Sequence, residues 1–107
     1  MFFSIIVVCL NPGDKLKKTL DSIDKQSFRD CEVIIKDGMS KDGSLEYVKK
    51  LAGKKGLTIR ILEKKDTGIY DAMNQAVEEA AGKYLYFLNC GDIFYSEDVL
   101  EKMAEFI

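Results

Sequence analysis

The residues of this chain that could do chemistry fall in four short clusters, each just after an apolar run. Asn11 follows residues 3–10, Asp37 ends the run 33–36, Lys64, Lys65 and Asp66 come after the run that ends at Leu62, and Asn89 and Asp92 follow residues 84–88. Groups of these types suit a polar, phosphorylated ligand. Lysines and backbone N–H groups meet phosphate charge, and a carboxylate can hold a hard divalent cation. The chain has no histidine, which excludes Ser-His and Cys-His nucleophiles, His-ligated zinc and imidazole acid–base chemistry. No GxxxxGK loop for a nucleoside triphosphate and no GxGxxG for a dinucleotide follows the first run. Taken singly, each Asp, Asn or Gly is equally well a turn or N-cap residue, because such positions favour those types. Their recurrence at the end of every apolar run is what points to a small-molecule site.

The elements that position these clusters follow from hydrophobic periodicity. Residues 3–10 form a continuous apolar run rich in β-branched residues and closed by Asn11-Pro12-Gly13, which predicts a strand buried on both faces. Leu16, Leu20 and Ile23 recur at helical spacing and predict an amphipathic helix over about 14–26. A second strand is centred on 33–36. A second helix starts near Asp42 or Ser44, runs to about Ala52, and buries Leu45, Val48 and Leu51. A third strand is expected over 57–62 and a third helix over 68–81, with Ala72, Met73, Ala76, Val77 and Ala80 on one face and Gly82 at its C′ position. Residues 84–88 form the fourth strand, 89–92 a turn, and Ser96 caps a last helix that carries Val99, Leu100, Met103 and Ile107. Strict β-α alternation with two-sided apolar strands predicts a three-layer α/β/α unit with a mainly parallel sheet. In such sheets ligands bind outside the carboxyl ends of the strands, where all four clusters fall.

With 107 residues, 47% of them hydrophobic and 32% charged, the chain matches one globular domain. Its net charge of −2 offers no footprint for nucleic acid. Residues 2–10 are too few to cross a membrane and end at Asn11-Pro12. Cys9, Cys31 and Cys90 form no CxxC pair, leave one thiol over under any pairing, and read as packing residues of a reducing compartment.

The runs SIIVVCLNPGDKLKKTLDSIDKQSF, EVIIKDGMSKDGS and EKKDTGIYDAMNQAVEEAAGKYLYFLNCGDIF together resemble the amino-terminal half of a family 2 glycosyltransferase with the GT-A fold. The TGIYDAMN and FLNCGD blocks resemble a bacterial subgroup of polysaccharide and envelope glycan assembly, of the colanic-acid type. The resemblance implies a sheet of order 3-2-1-4 and an enzyme that moves a sugar, with inversion, from a nucleotide diphosphate to an acceptor hydroxyl. Carried over by position, residues 8–11, with Val8 and Asn11, match the loop that contacts the nucleoside, and Asp37 matches the aspartate that hydrogen-bonds the base, commonly uracil. Where the family usually carries two adjacent aspartates, this chain has Asp37 alone, preceded by Lys36. Asp66, Asp71 and Asn74 match the block lying across the donor, with Lys64 or Lys65 near a phosphate; Met73 stands where many relatives carry arginine. Asn89 to Asp92 match the DxD-type motif, with Asp92 as the contact to Mg²⁺ or Mn²⁺ and Asn89 and Gly91 where many relatives have further aspartates. Cys9 and Cys90 lie near the exits of strands that are neighbours in this order and can approach each other.

The same resemblance places the general base and the acceptor platform after residue 107, so that residues 1–107 are expected to be a donor-binding domain that does not catalyse transfer alone. The implied partners are a nucleotide-diphosphate sugar, most simply a UDP-sugar, and a glycan or lipid-linked acceptor. The expected location is the cytoplasm, or the inner membrane face in a longer protein. A sheet edge left uncovered would favour self-association. Two other readings stay open on the sequence: a non-catalytic sugar-nucleotide sensor, and an α/β protein-interaction module that shares only the fold.

Overall fold

An uncharged, β-branched run gains most by burying both faces, and Phe3–Cys9 forms strand β1 with Phe3, Ile5, Ile6 and Val7 wholly buried. The computed structural model describes residues 1–52 and 58–107. Along the chain β1 is followed by α1 (Lys15–Asp24), β2 (Cys31–Asp37), α2 (Leu45–Ala52), β3 (Thr58–Glu63), α3 (Ile69–Glu79), β4 (Tyr84–Phe87) and α4 (Val99–Phe106). All strand pairs are parallel and the sheet order is β3-β2-β1-β4, as expected.

Register and alternation decide what each face carries. Phe3 lies opposite Cys31 and Cys9 opposite Asp37, so β1 and β2 end level, and Asp37 in turn lies opposite Glu63. Phe3, Ile5, Val7, Val33 and Ile35 point to one side, where they pack on Leu16, Leu20 and Ile23 of α1, Leu45 and Val48 of α2, and Leu100 of α4. Ile6 and Ile34 point to the other side and meet Ala76 of α3. The thick core therefore lies on the α1/α2/α4 face. Every residue of β2 is buried, including Glu32, Lys36 and Asp37. No helix is long and apolar enough to cross a membrane among the described residues.

Several boundaries and burials differ from the sequence expectation, each for a local reason. Leu10 is outside β1 and 61% exposed, because the chain turns away at Asn11. Helix α1 stops at Asp24, and Gln26 is drawn to the far end of the chain, where its Nε2 donates to Ser96 O at 2.6 Å and its Oε1 accepts from Leu100 N at 3.1 Å. That amide satisfies the start of α4. Ser96 is therefore not the cap; it donates to Asp98 Oδ1 at 2.6 Å, and Asp98 occupies the N-cap position. Gly82 is not a C′ residue either, since α3 ends at Glu79 and Ala80 is extended. Its need for glycine comes from close approach: a Cβ there would lie 2.5 Å from Ser4 N. Strand β4 is not buried on both faces but is an exposed edge, with Tyr84, Leu85 and Phe87 about two fifths accessible. Val77 and Ile107 are also exposed. The side chain of Leu51 and the whole of Leu57 lie outside the described residues.

Candidate functional site

The site grows from the level ends of β1 and β2. After Cys9 the chain turns through Asn11, whose φ of 47° is one that a short polar side chain tolerates. Asn11 Oδ1 accepts from Lys41 N at 2.7 Å, and Asn11 N donates to Ser40 Oγ at 2.7 Å. Gly13 N donates to Asp42 Oδ2 at 2.8 Å. These bonds stitch the loops after β1 and β2 into one ledge. Hydrogen bonds from Ser44 and Gly13 hold the Asp42 carboxyl below the usual carboxylate range.

Asp37 lies beneath the ledge, fully buried, so its carboxylate must be bonded. Oδ2 accepts from Ser40 N at 2.7 Å, and Oδ1 accepts from Ser40 Oγ and from the Cys9 thiol, the latter at 3.5 Å. The turn role open to Asp37 in the sequence is thus filled, through Ser40. Val8, Leu10, Asn11, Pro12, Lys15 and Cys90 border a cavity of about 330 Å³ where β1 and β4 end. Both Cys9 and Cys90 line it and both are free thiols. Burial, then Asp37 and Cys90, pushes the Cys9 thiol far up, and burial raises Cys90, so both stay protonated and pack rather than attack. A second cavity, about 230 Å³, opens between the starts of α1 and α2 beside Lys17, Asp42 and Tyr47. The first has the better claim to a ligand, because it sits at the strand exits.

The segment between β3 and α3 leaves the sheet beside the end of β2. Lys36 is fully buried, and its Nζ donates to Asp66 Oδ2 at 2.9 Å, to Asp37 O at 3.2 Å and to Lys64 O. That hydrogen bond holds the Asp66 carboxyl below the ordinary range. Asp66 Oδ1 accepts from Gly68 N at 3.2 Å. Asp71 Oδ2 accepts from Thr67 N at 2.9 Å and from Gln75 Nε2 at 3.1 Å, and Gln75 also donates to Lys65 O at 3.2 Å. Lys64, Lys65 and Asn74 are exposed. Met73 is half-buried and borders a small cavity with Ile6, Val8 and Asn89.

At the exit of β4 the turn 89–92 closes through Asp92 N donating to Asn89 O at 2.9 Å. Gly91 takes a φ of 102°, which favours glycine. Thr19, buried on α1, holds the turn from below: its Oγ1 accepts from Gly91 N and donates to Asp92 O, each at 2.8 Å. Asn89 and Asp92 are exposed, and among the described residues the Asp92 carboxylate makes no hydrogen bond or ion pair. No group of three or more His, Cys, Asp or Glu side chains gathers among the described residues. One hard-oxygen carboxylate suits Mg²⁺ or Mn²⁺ only when a diphosphate brings further oxygens, and does not suit a resident ion.

Three residues shape this edge in ways that the sequence did not reveal, Lys36 among them, noted there only as standing before Asp37. Thr19 is a polar residue on the apolar face of α1, Lys36 is a charge inside a strand-forming run, and Ser40 lies three residues after Asp37. The first two carried a signal in their position. Ser40 carried none beyond its turn propensity.

The parallel sheet of order β3-β2-β1-β4 flanked by helices superposes on glycosyltransferases of the GT-A fold. The chain belongs to glycosyl transferase family 2, whose family model matches residues 4–107. It is 40% identical over 105 residues to a PGL/p-HBAD biosynthesis glycosyltransferase of Mycobacterium tuberculosis, covering 98% of this chain and 41% of that protein. It is 31% identical to the poly(ribitol-phosphate) β-N-acetylglucosaminyltransferase TarS of Staphylococcus aureus, covering all of this chain and 19% of that protein. Among solved structures, TarS 1–349 in complex with UDP-GlcNAc superposes with a TM-score of 0.87 over 100% of this chain and 31% of that one, at 31% identity. The mannosyltransferase PcManGT of Pyrobaculum calidifontis in complex with GDP-Man and Mn²⁺ superposes with a TM-score of 0.88 over 96% of this chain and 31% of that one, at 25% identity. The chain thus spans about two fifths of the length of its mycobacterial relatives.

Proposed function

We propose that residues 1–107 form the donor-binding domain of an inverting glycosyltransferase that takes a nucleotide-diphosphate sugar, with UDP-sugar as the first candidate. One observation carries this reading. Four strand exits converge on one sheet edge, those of β1 and β4 border a cavity, and among the described residues the carboxylate of Asp92, exposed on the β4 turn, makes no hydrogen bond or ion pair. The nucleotide-sugar complexes of TarS and PcManGT support it.

In this arrangement the ledge around Val8, Asn11 and Asp37 receives the nucleoside. Lys64 and Lys65 lie toward the phosphates, Asp66, Asp71 and Asn74 toward ribose or sugar hydroxyls, and Asn89 and Asp92 toward the diphosphate. Asp92 would hold Mg²⁺ or Mn²⁺, which stabilises negative charge on the departing nucleotide. The chain's own residues bind and orient: buried bonds at Asp37 and Asp66 fix the loops in advance, which lowers the ordering cost of binding. An acidic general base and an acceptor site belong to the complete reaction, and the acceptor is proposed to be a glycan or lipid-linked hydroxyl of a bacterial envelope or polysaccharide, met in the cytoplasm or at the inner membrane face. The purified 107-residue chain is expected to bind nucleotide without transferring sugar, and its exposed β4 edge favours self-association.

Titration calorimetry with UDP, with and without Mn²⁺, tests the reading. Metal-enhanced binding that disappears in Asp92→Ala supports it. Absence of binding by every nucleotide diphosphate overturns it in favour of an interaction module.

A further inference from the structure

We infer that Lys36 is a positioning residue for the donor: it pins the segment 64–68 to the end of β2 and so fixes where Lys64, Lys65 and Asp66 stand at the strand exits. This rests on the donor-binding reading above. A fully buried ammonium is costly unless each of its donors is met, and here three acceptors converge on it: Asp66 Oδ2 at 2.9 Å, Asp37 O at 3.2 Å and Lys64 O. Two of the three lie on the 64–68 segment. Further bonds tie the segment to α3 and to itself: Lys65 O accepts from Gln75 Nε2, Thr67 N donates to Asp71 Oδ2 and Gly68 N donates to Asp66 Oδ1. Lys36 is the side-chain link from this network to β2, beside the backbone bond from Lys64 N to Asp37 O at 3.0 Å, since Gln75 and Asp71 belong to α3 itself.

Gly38 leaves room for the contact. A Cβ on it would come within 3.2 Å of Asp66 Oδ2, so the β2 exit is shaped for the Asp66 carboxylate to sit against it. Without Lys36 the Asp66 carboxylate would lose its cation and keep the Gly68 N–H as its partner. The segment would then swing out and carry Lys64 and Lys65 away from the edge.

Two readouts on the 107-residue chain and on Lys36→Met, Asp66→Asn and the double variant test this. The first is amide hydrogen exchange of residues 64–68 without nucleotide; the second is the UDP dissociation constant by calorimetry at a temperature where each variant is folded. Faster exchange confined to 64–68 and at least tenfold weaker UDP binding are expected in either single variant, with no further loss in the double variant. If Lys36→Met does not fold, Asp66→Asn, at a partly exposed position, carries both readouts. Unchanged exchange with unchanged affinity overturns the inference. Weaker binding with unchanged exchange also overturns it, because Asp66 would then be acting as a direct ligand. If the wild-type chain binds no nucleotide, the donor-binding reading fails, and exchange alone decides whether Lys36 pins the segment.

Discussion

Glu32 and Asp37 are buried carboxylates near opposite ends of β2, and the structure treats them differently. Glu32 is sealed: Oε2 accepts from Ser4 Oγ at 2.6 Å and from Ala81 N at 2.7 Å, Gly82 N donates to Ser4 Oγ at 2.7 Å, and Arg60 Nε lies 3.3 Å from Oε1. Every partner there closes the amino-terminal end of the sheet against the chain entering β4. Asp37 and its neighbour Lys36 are equally well bonded, but their partners are groups at the strand exits, and the Cys9 that donates to Asp37 lines a cavity. A satisfied buried charge is therefore not itself a sign of function. What separates the two ends is what the bonded groups hold up: a closed joint at one, and at the other the loops of the strand exits, with an exposed Asp92 whose carboxylate makes no hydrogen bond or ion pair among the described residues.

The contrast can be broken in four ways. Gly82→Ala should cost the most stability, about 3 kcal/mol, because a Cβ would meet Ser4 N and Oγ at 2.5 Å and no flexible side chain can yield. Denaturant melts would measure it, and UDP affinity below the melting transition should stay unchanged. Asp92→Ala should do the reverse, weakening Mn²⁺-dependent UDP binding at least tenfold, or about 1.4 kcal/mol, without moving the melting temperature. Thr19→Val should fall between these, destabilising by about 1–2 kcal/mol because Gly91 N and Asp92 O lose their partner, and also blunting the metal response.

The fourth test is acid titration. Burial alone would raise the Glu32 pKa, but the hydrogen bonds from Ser4 and Ala81 and the Arg60 charge outweigh it, and the group lies below the ordinary value. Lys36 does the same for Asp66. Both folded-state values are depressed, so their stabilisation is complete above the ordinary carboxylate range and is lost as pH falls through the folded values. Ser4→Ala should shift the acid-unfolding midpoint to higher pH, a small effect read by circular dichroism. An unchanged midpoint would contradict the role given to the Ser4 bond.

Much of the fold was legible because its signals are local. Continuous apolar runs gave β1 and β2, and helical spacing of Leu16, Leu20 and Ile23 gave α1. Misreadings occurred where a distant group took over a local role. Gln26 supplies the start of α4 in place of Ser96, and Ser4 rather than a helix end explains Gly82. For the site, the residue types at the strand exits were readable, and their partners were not.

From the sequence by itself came the α/β alternation, the gathering of Asn11, Asp37, Asp66, Asn89 and Asp92 at strand ends, and, through whole blocks of resemblance, the family. Periodicity and block spacing are one-dimensional properties, so one chain suffices to read them. Only the tertiary structure decided that Lys36 pairs with Asp66, that Ser40 engages Asp37, that Thr19 holds the 89–92 turn and that the Asp92 carboxylate has no partner among the described residues. Those outcomes depend on strand register and on the approach of loops far apart in the chain. Hydrogen bonds form at about 3 Å, a distance that composition and spacing do not encode.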